Sequence, residues 1–418
     1  MNAFNYQNGE LMAEGVPLSL IADTYDTPCY VYSRAQLVAH YQAYAQSLGD
    51  HPGIIHYAVK ANSNLAVLQV LAEQGAGFDI VSGGELARVL KAGGAPERIV
   101  FSGVGKSAED IKAALEANIG CFNVESQAEL VQLQQVAESL NVKAPVSIRV
   151  NPDVDANTHP YISTGLKENK FGIDINLAPA VYQQAAAMAN LEVIGVDCHI
   201  GSQLTTMTPF LDALKRLLAL IDTLNDQGIT IKHLDMGGGL GITYEQETPP
   251  SVETYISAIK HALDGRDLAL CFEPGRSIAA NAGVLLMQVM YLKPTEHKDF
   301  AIVDAAMNDN IRPSLYQAWQ DIQPLKEQSE GSTSTWDIVG PVCETGDFLA
   351  KDRELTLSQG DYLALMSSGA YGFVMSSNYN SRPKIPEIMV DGRETFEVRR
   401  RETVEELMRG EQLLPKAP

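Results

Sequence analysis

The sequence predicts a (β/α)8 barrel followed by a second, mainly β domain. Between about residues 54 and 275, short apolar and β-branched segments alternate eight times with longer helical patterns, as in the βα units of a parallel sheet. After residue 276 the rhythm changes to short strands without regular helices between them. With 418 residues, 45% of them hydrophobic and 20% charged, the chain is long enough for two packed domains.

Eight short barrel strands are predicted, and most of them end in polar or glycine residues. They cover residues 54–61, 77–81, 99–103, 121–124, 146–150, 193–199, 231–236 and 268–272. Eight strand–helix repeats of this size fit a closed barrel, whose catalytic residues lie on the loops at the C-terminal ends of the strands. An open, doubly wound sheet is the weaker alternative.

Helices are predicted where apolar residues recur at three- and four-residue spacing. They cover residues 65–74, 85–92, 108–117, 127–140, 178–189, 209–227 and 252–263. Ser107 and Ser126 immediately precede two of these segments, and we expect them to cap the helix N-termini.

The predicted domain boundary lies near residue 280, with the barrel at 36–279 and the β domain at 280–418. Strands of the second domain are expected at 284–291, 300–303, 336–339, 362–366, 387–390 and 396–400. Residues 1–35 precede the barrel, and their apolar segment 29–32 is expected to add a strand to the second domain.

The composition excludes several classes of partner. The formal net charge of −21 comes from acidic residues spread along the chain, which is typical of a solvated surface and argues against nucleic acid. The longest uncharged apolar runs are far shorter than a membrane span, and no secretion signal precedes them. Five cysteines without a CxxC pair argue against disulfides and structural zinc. We therefore expect a cytoplasmic protein with reduced thiols and no metal.

Lys60 is the first candidate for chemistry. It lies at the far end of the first predicted barrel strand, after an apolar run. Most lysines are solvated surface charges, but a lysine at the C-terminal end of a barrel strand faces the active-site mouth. Partial desolvation there favours the neutral amine, which can form a Schiff base.

Two segments that follow the last two barrel strands carry further candidates. Gly237, Gly238, Gly239 and Gly241 follow the seventh strand and can form either a backbone cradle for a phosphate or a flexible turn. The segment 273–276, with sequence EPGR, closes the eighth strand. Its acid can keep a pyridine nitrogen protonated and its guanidinium can bind a carboxylate, although a surface ion pair is the simpler interpretation.

Other strand ends give weaker candidates. His199 ends the sixth strand, where it can stack on a planar cofactor, and nearby Ser202 can bind a phosphate. A single histidine is more often structural. Arg149, at the end of the fifth strand, and Asp79, in the second strand, are two further residues at the barrel mouth.

In the second domain, Cys343 and Glu344 stand in the segment GPVCETGD, residues 340–347. A cysteine is commonly a small buried hydrophobe, but one flanked by an acid and turn glycines can donate a proton. The segments 310–316 and 369–372 add Arg312, Tyr316 and Tyr371. Each of these signals is weak by itself.

Taken together, seven segments resemble the fold-type III decarboxylases that bind pyridoxal phosphate, and most closely the diaminopimelate decarboxylase family. The segments are YAVKAN (57–62), KFG (170–172), HIGSQ (199–203), GGG (237–239), EPGR (273–276), GPVCETGD (340–347) and GAYG (369–372). They occur in the family's order and cover nearly the whole chain.

The resemblance implies a cofactor site in the barrel. Lys60 would carry pyridoxal phosphate covalently, His199 would stack on its ring, and Glu273 would pair with the pyridine nitrogen. The phosphate and neighbouring groups would be held by a further set of residues, namely Asp79, Ser202, Gly238, Gly239, Gly275, Arg276 and Tyr371.

The resemblance also implies the substrate and the assembly. The substrate would be meso-diaminopimelate, decarboxylated at its D centre to L-lysine and CO2. Its contacts would be Arg276, Arg312, Tyr316, Glu344 and Tyr371. The chain would form a homodimer in which the partner subunit supplies Cys343, the candidate proton donor, together with Glu344.

Three alternatives remain open from the sequence. One is a related decarboxylase for carboxynorspermidine or arginine, which the arginines at 276 and 312 disfavour. Another is a non-catalytic pyridoxal-phosphate carrier, a class that resembles only the residues before about 275. The third is a cofactor-free barrel enzyme that binds a phosphorylated sugar through the same glycines.

Overall fold

The computed structural model of the chain describes residues 3–154, 170–327 and 332–415. The chain divides into two compact units, one made of residues 37–280 and the other of residues 1–36 together with 281–418. The first unit contains a parallel barrel, and the second is built mainly from sheets.

Strands are numbered in chain order. Those in the described residues are β1 (Phe4–Gln7), β2 (Glu10–Ala13), β3 (Val16–Pro17), β4 (Cys29–Ser33), β5 (Gly53–Ala58), β6 (Gly77–Ile80), β7 (Ile99–Phe101), β8 (Cys121–Val124), β9 (Ala144–Asn151), β10 (Ile173–Asp174), β11 (Leu191–Asp197), β12 (His233–Asp235), β13 (Ala269–Phe272), β14 (Gly283–Lys293), β15 (Asp299–Val303), β16 (Ile322–Pro324), β17 (Ser332–Val339), β18 (Phe348–Leu357), β19 (Tyr362–Leu365), β20 (Glu387–Asp391) and β21 (Glu394–Arg399).

The helices of the described residues are α1 (Leu18–Tyr25), α2 (Arg34–Leu48), α3 (Leu65–Glu73), α4 (Gly83–Lys91), α5 (Ala108–Glu116), α6 (Gln127–Ser139), α7 (Ala178–Ala186), α8 (Thr208–Asp226), α9 (Val252–Ala262), α10 (Arg276–Ala279), α11 (Arg312–Tyr316) and α12 (Val404–Leu407). Within these residues no helix is both long and apolar enough to cross a membrane.

The barrel closes through eight parallel strand pairs. The order runs β5, β6, β7, β8, β9, β11, β12 and β13, and β13 pairs again with β5. A helix follows each of these strands, from α3 after β5 to α10 after β13. The predicted (β/α)8 barrel is therefore confirmed, and the open doubly wound sheet is excluded.

Helix caps explain why several barrel helices begin where they do. Ser107 accepts a hydrogen bond from the backbone of Asp110, whose side chain bonds back to Ser107, so α5 starts with a full capping box. Ser126 caps α6 by accepting from the backbone N–H of Glu129. Both predicted caps are confirmed, and each such cap contributes about 1 kcal/mol.

The structure differs from the prediction in several places, of which three are informative. The first barrel strand ends at Ala58 rather than at 61, and Val59–Ala61 forms a 3-10 turn. Helix α2 was not predicted because its apolar and polar residues are spread around the helix without a clear stripe. Strand β18 was not predicted because a run of charged residues, 351–354, interrupts its apolar pattern.

The barrel interior is polar rather than filled only with aliphatic side chains. Asn123, on β8, donates a hydrogen bond to Glu273, which follows β13. These strands lie on opposite sides of the closed barrel, so both side chains reach into its interior. A set of polar side chains from the barrel strands is buried: His56, Asp79, Asn123, Ser147, Asp197 and Asp235.

The second unit contains a nine-stranded sheet and a small three-stranded sheet. In the larger sheet β4, from the N-terminal segment, lies between β14 and β20. The apolar core of this unit joins residues far apart in sequence, including Leu11, Val31, Leu286 and Ile388. Burial of such side chains, at about 25 cal/mol per Å2, accounts for the attachment of residues 3–33 to this unit.

Candidate active site

Lys60 lies in the 3-10 turn immediately after β5, at the C-terminal end of the barrel. Its ammonium forms an ion pair with the carboxylate of Asp79, which is completely buried on β6. The lysine side chain is 37% exposed. The structure thus presents one amine at the barrel mouth and holds it in place through a fixed acid.

Glu273 follows β13 and is buried below the mouth. Its Oε1 accepts hydrogen bonds from Ser102 Oγ at 3.3 Å and from Asn123 Nδ2 at 3.2 Å. Ser102 and Asn123 are also bonded to each other, with Asn123 Nδ2 donating to Ser102 Oγ at 3.1 Å. The three side chains form a closed triangle inside the barrel.

Two further acids lie beside Glu273. Asp197 ends β11, Asp235 ends β12, and one carboxylate oxygen from each of the three groups lies within 4.8 Å of the others. Carboxylates this close in a buried site cannot all be ionised. Burial raises the pKa of Asp197 to about 7 and that of Glu273 well above its ordinary value, and the neighbouring acids raise the pKa of Glu273 further.

His199 is held against the glycine loop that follows β12. The backbone N–H of Gly238 donates to His199 Nδ1 at 3.1 Å, so a neutral ring carries its proton on Nε2. Desolvation lowers the pKa of His199 well below its ordinary value, and the positive charges of Arg149 and Lys60 lower it further. The ring is therefore neutral at physiological pH.

The glycines of this loop are needed for close packing. Gly239 has φ +107°, and a Cβ there would lie 2.5 Å from the carbonyl oxygen of Gly201. A Cβ on Gly238 would clash with the carbonyl oxygen of Glu273. The loop therefore fits between the segments that follow β11 and β13 only because it lacks side chains.

Arg276 begins α10 and is almost fully buried. Its Nε and Nη2 donate to Ser202 Oγ at 3.3 and 3.0 Å, and its Nη1 donates to the hydroxyl of Tyr244 at 2.7 Å. The guanidinium is thus oriented by two hydroxyl groups. Tyr244 was not among the residues predicted for the site, because it lies in an irregular loop without a motif of its own.

Arg149 forms an ion-pair network at the end of β9 that reaches the acid cluster through Asp197. It donates to Glu125 at 2.9 Å and lies 3.9 Å from Asp197. The same Glu125 accepts from the backbone N–H of Gly172 at 3.0 Å, and the guanidinium of Arg149 lies 4.9 Å from the ring centre of Phe171. The segment KFG is therefore tied to the barrel end through Glu125.

The other predicted residues belong to the second unit. Cys343 and Glu344 lie in the turn between β17 and β18 and are exposed. The turn is anchored by buried Asp347, which accepts from the backbone N–H groups of Met307 and Val342 at 2.7 Å each. The backbone of Cys343 itself donates to Asn380 Oδ1 at 2.8 Å. This bonding holds the thiol at the surface of the unit.

Arg312 and Tyr316 lie on α11, which is linked to the same turn. Ser314 of this helix donates to the carbonyl oxygen of Gly346 at 2.6 Å. Arg312 is buried, whereas Tyr316 is half-buried. Tyr371 lies elsewhere in the unit, half-buried and with φ +57°.

The barrel therefore brings together one part of the predicted set: Lys60, Asp79, His199, Ser202, Gly238, Gly239, Glu273, Gly275 and Arg276. The structure adds Ser102, Asn123 and Tyr244, which the sequence did not single out. Polar residues at strand ends are the signal that could have found the first two.

Residues 34–280 match the family model described as the pyridoxal binding domain of pyridoxal-dependent decarboxylases. The barrel is thus that of a pyridoxal-dependent decarboxylase, and the cofactor is pyridoxal phosphate. Over its full length the chain is 65% identical to a diaminopimelate decarboxylase of Pseudomonas aeruginosa, across 415 residues that cover 99% of this chain and 100% of the relative. The chain belongs to the diaminopimelate decarboxylase family.

Other relatives agree with this assignment. A diaminopimelate decarboxylase of Vibrio cholerae is 61% identical over 417 residues, which cover 99% of this chain and 100% of the relative. The crystal structure of the Helicobacter pylori diaminopimelate decarboxylase complexed with L-lysine matches with a TM-score of 0.91 and 44% identity, covering 94% of this chain and 98% of that one.

The residues at the barrel mouth fit pyridoxal phosphate. The glycine loop leaves no room for a Cβ at 238 or 239, which suits a backbone that must approach a phosphate closely. Asp235 Oδ2 and Asp197 Oδ1 are buried and have no hydrogen-bond partner among residues 3–154, 170–327 and 332–415, so the floor of the site is lined by acids and suits a protonated ring nitrogen. The amine of Lys60, in the turn after β5, is the kind of group to which such a cofactor can be attached.

Proposed function

We propose that this chain removes the carboxyl group at the D centre of meso-diaminopimelate and releases L-lysine and CO2. The observation that carries this proposal is the grouping of Lys60, neutral His199 and buried Glu273 at the ends of barrel strands, in a chain of the diaminopimelate decarboxylase family. Bound pyridoxal phosphate supplies an electron sink for the electron pair that is left when CO2 departs.

Lys60 is the proposed covalent anchor of the cofactor through its Nζ. Asp79 holds this amine at the barrel mouth by the ion pair described above. The pairing keeps the amine beside a fixed negative charge before the cofactor is loaded. Asp79 therefore acts on the cofactor site through the position of Lys60.

Glu273 is the proposed partner of the pyridine nitrogen. Its raised pKa lets it share a proton with a weak base, which a fully solvated carboxylate would not do at neutral pH. The neutral ring of His199 is proposed to lie against the flat face of the cofactor, where a charged imidazolium would compete with the protonated nitrogen.

The phosphate is proposed to be bound by the backbone at Gly238, Gly239 and Gly275, by Ser202 and by Tyr371. The support in the barrel is the glycine loop and the position of the Ser202 hydroxyl beside Arg276. The role of Tyr371 rests on the family resemblance alone.

Substrate recognition is proposed to use Arg276, Arg312, Tyr316, Glu344 and Tyr371. Meso-diaminopimelate carries two carboxylates and two ammonium groups. Guanidinium groups match the carboxylate at the end that does not react, and a glutamate matches its ammonium. The buried guanidinium of Arg276 supports this proposal directly.

Cys343 is the proposed proton donor after CO2 is lost, and the chain is proposed to be a homodimer whose partner subunit supplies this cysteine and Glu344. The thiol stands exposed on a well-anchored turn, as a group acting on another subunit must. Cys343→Ala should lower turnover and leave cofactor binding intact, while Cys343→Ser should retain part of the turnover. Normal turnover of Cys343→Ala would remove the thiol as donor.

The shared site has its own test. A mixture of Lys60→Ala and the slowed variant Cys343→Ala should be more active than either variant alone, because one kind of site in the mixed dimer keeps both residues. Subunit exchange is followed by mass spectrometry of the intact dimers. If exchange is complete and the activity does not rise, the residues act within one chain.

Cytoplasmic location is part of the proposal. Its support is the five unpaired cysteines, which suit a reducing compartment.

The reaction is tested with meso-diaminopimelate that carries 13C in the carboxyl group of the D centre. We expect labelled CO2 and unlabelled L-lysine in equal amounts. Label in the lysine would mean that the L centre reacts. Turnover of arginine or carboxynorspermidine in place of meso-diaminopimelate would favour a related decarboxylase.

A further inference from the structure

The triangle of Ser102, Asn123 and Glu273 fixes the direction of each of its hydrogen bonds. The two hydrogens of Asn123 Nδ2 point to Ser102 Oγ and to Glu273 Oε1, and the single hydroxyl hydrogen of Ser102 points to Glu273 Oε1 as well. The amide orientation is compatible with its surroundings, since the thiol of Cys121, a weak donor, lies 4.0 Å from Asn123 Oδ1. Every donor in the triangle is therefore used.

The direction of these bonds determines which oxygen of Glu273 can carry a proton. Oε1 already accepts two hydrogen bonds, so a proton on it would face two donors at short range. A proton held by this carboxyl group must therefore reside on Oε2. All three members of the triangle are at least nine-tenths buried, so water does not compete for these bonds.

The hydrogen bonds of the triangle favour the anion of Glu273, whereas most of the surrounding groups favour its protonated form. The titratable groups that face Glu273 come from several strands, namely Lys60, Asp79, Arg149, Asp197 and Asp235 and the thiols of Cys198 and Cys271. Burial and the three aspartates favour the protonated form of Glu273, whereas Lys60 favours its anion. Hydrogen bonds donated to Oε1 also stabilise the anion.

We infer that Ser102 and Asn123 are positioning residues that orient Glu273, keep Oε1 as an acceptor, and leave Oε2 as the oxygen that shares a proton with the pyridine nitrogen. The inference rests on the proposed pairing of Glu273 with that nitrogen. Its consequence is that two neutral side chains help to keep the proton on the nitrogen, where the electron sink needs it. Neither residue touches the substrate or the cofactor in this role.

The test is the 15N chemical shift of the ring nitrogen in holoenzyme reconstituted with 15N-labelled pyridoxal phosphate. In Ser102→Ala and in Asn123→Ala the anion of Glu273 loses one donor, so the proton should move from the nitrogen toward Oε2. We expect the apparent proton affinity of the nitrogen to fall about tenfold for each lost bond, which is about one pH unit.

Ser147→Ala is the matched control. Ser147 is a fully buried barrel serine on β9, and its hydroxyl has no hydrogen-bond partner among the described residues. Its variant should keep the wild-type 15N shift at every pH. Because Ser102→Ala removes a single oxygen atom, it keeps the test valid even if Asn123→Ala fails to fold.

Glu273→Gln separates failure of this inference from failure of the proposed function. If the 15N chemical shift of Glu273→Gln differs from that of wild type, while Ser102→Ala and Asn123→Ala have the wild-type value, the inference is overturned and the role of Glu273 is kept. If Glu273→Gln has the same 15N chemical shift as wild type, both the inference and the proposed role of Glu273 are overturned. We expect the 15N chemical shift to move toward that of the unprotonated nitrogen in Glu273→Gln, Ser102→Ala and Asn123→Ala. In Ser147→Ala it should stay unchanged.

Discussion

Asp197 is a buried acid whose ionisation should destabilise the barrel as the pH rises. It is 1% exposed at the end of β11, and its Oδ1 has no hydrogen-bond partner among the described residues. Burial raises its pKa from 3.8 to about 7, with Arg149 opposing the shift. Asp197→Asn keeps the shape of the side chain and removes its ability to ionise.

The direction in which pH changes the free energy of unfolding follows from the protons bound by the folded and the unfolded protein. Between pH 3.8 and about 7 the folded protein holds a proton on Asp197 that the unfolded chain has lost. The stability that this proton contributes is present below about pH 4 and is lost as the pH rises through about 7. A shift from 3.8 to about 7 corresponds, at 1.36 kcal/mol per unit, to about 4 kcal/mol.

The expected result is a gain in the free energy of unfolding of Asp197→Asn relative to wild type, growing by about 4 kcal/mol from pH 4 to pH 8. Urea unfolding of the cofactor-free protein measures it. Both tryptophans, Trp319 and Trp336, lie in the second unit, so circular dichroism of the barrel helices is the suitable signal.

Asp226→Asn is the control for this measurement. This aspartate is exposed at the end of α8, so its removal should not change the pH dependence. If the difference between Asp197→Asn and wild type is constant from pH 4 to pH 8, the carboxyl group of Asp197 is already ionised in the folded barrel. That result would refute the reasoning about the acid cluster.

Two further predictions concern the cofactor and substrate sites. Gly239→Ala should weaken pyridoxal-phosphate binding at least about tenfold, because the new Cβ meets a carbonyl oxygen at 2.5 Å on a backbone with φ +107°; Gly105→Ala, with open space around its Cβ, should bind normally. If Gly239→Ala and wild type bind pyridoxal phosphate with equal dissociation constants, this prediction is contradicted. Tyr244→Phe removes the hydroxyl that Arg276 bonds at 2.7 Å, so steady-state kinetics should show about a tenfold higher KM for meso-diaminopimelate and a smaller change in kcat. An unchanged KM would remove Tyr244 as an orienting residue.

The alternation of strands and helices was enough to predict the barrel because each unit buries one strand and one helix face locally. The ends of β5 and β13 place Lys60 and Glu273 at the same edge, so the position of a residue along its strand predicted its place in the fold. Charge inside an exposed strand carries no such local signal, which is why β18 was not predicted.

The hydrogen-bond triangle could not be predicted from sequence in the same way. Ser102 and Asn123 precede their partner Glu273 by 171 and 150 residues, and they meet it only across the closed barrel. Their positions at the ends of β7 and β8 are the only local signal, and such a position does not reveal which side chain across the barrel they contact. Similarly, Tyr244 gains its role from the guanidinium of Arg276, 32 residues further along the chain.

The most direct test of the account is the visible absorbance of the purified protein and of Lys60→Ala, each with pyridoxal phosphate added. Wild type should show the band of lysine-bound cofactor, and meso-diaminopimelate should perturb it while L-lysine and CO2 are released. Lys60→Ala should lack the band, whereas Lys112→Ala, which changes an exposed helix lysine, should keep it. A folded Lys60→Ala that retains the band would contradict the central claim that Lys60 carries the cofactor.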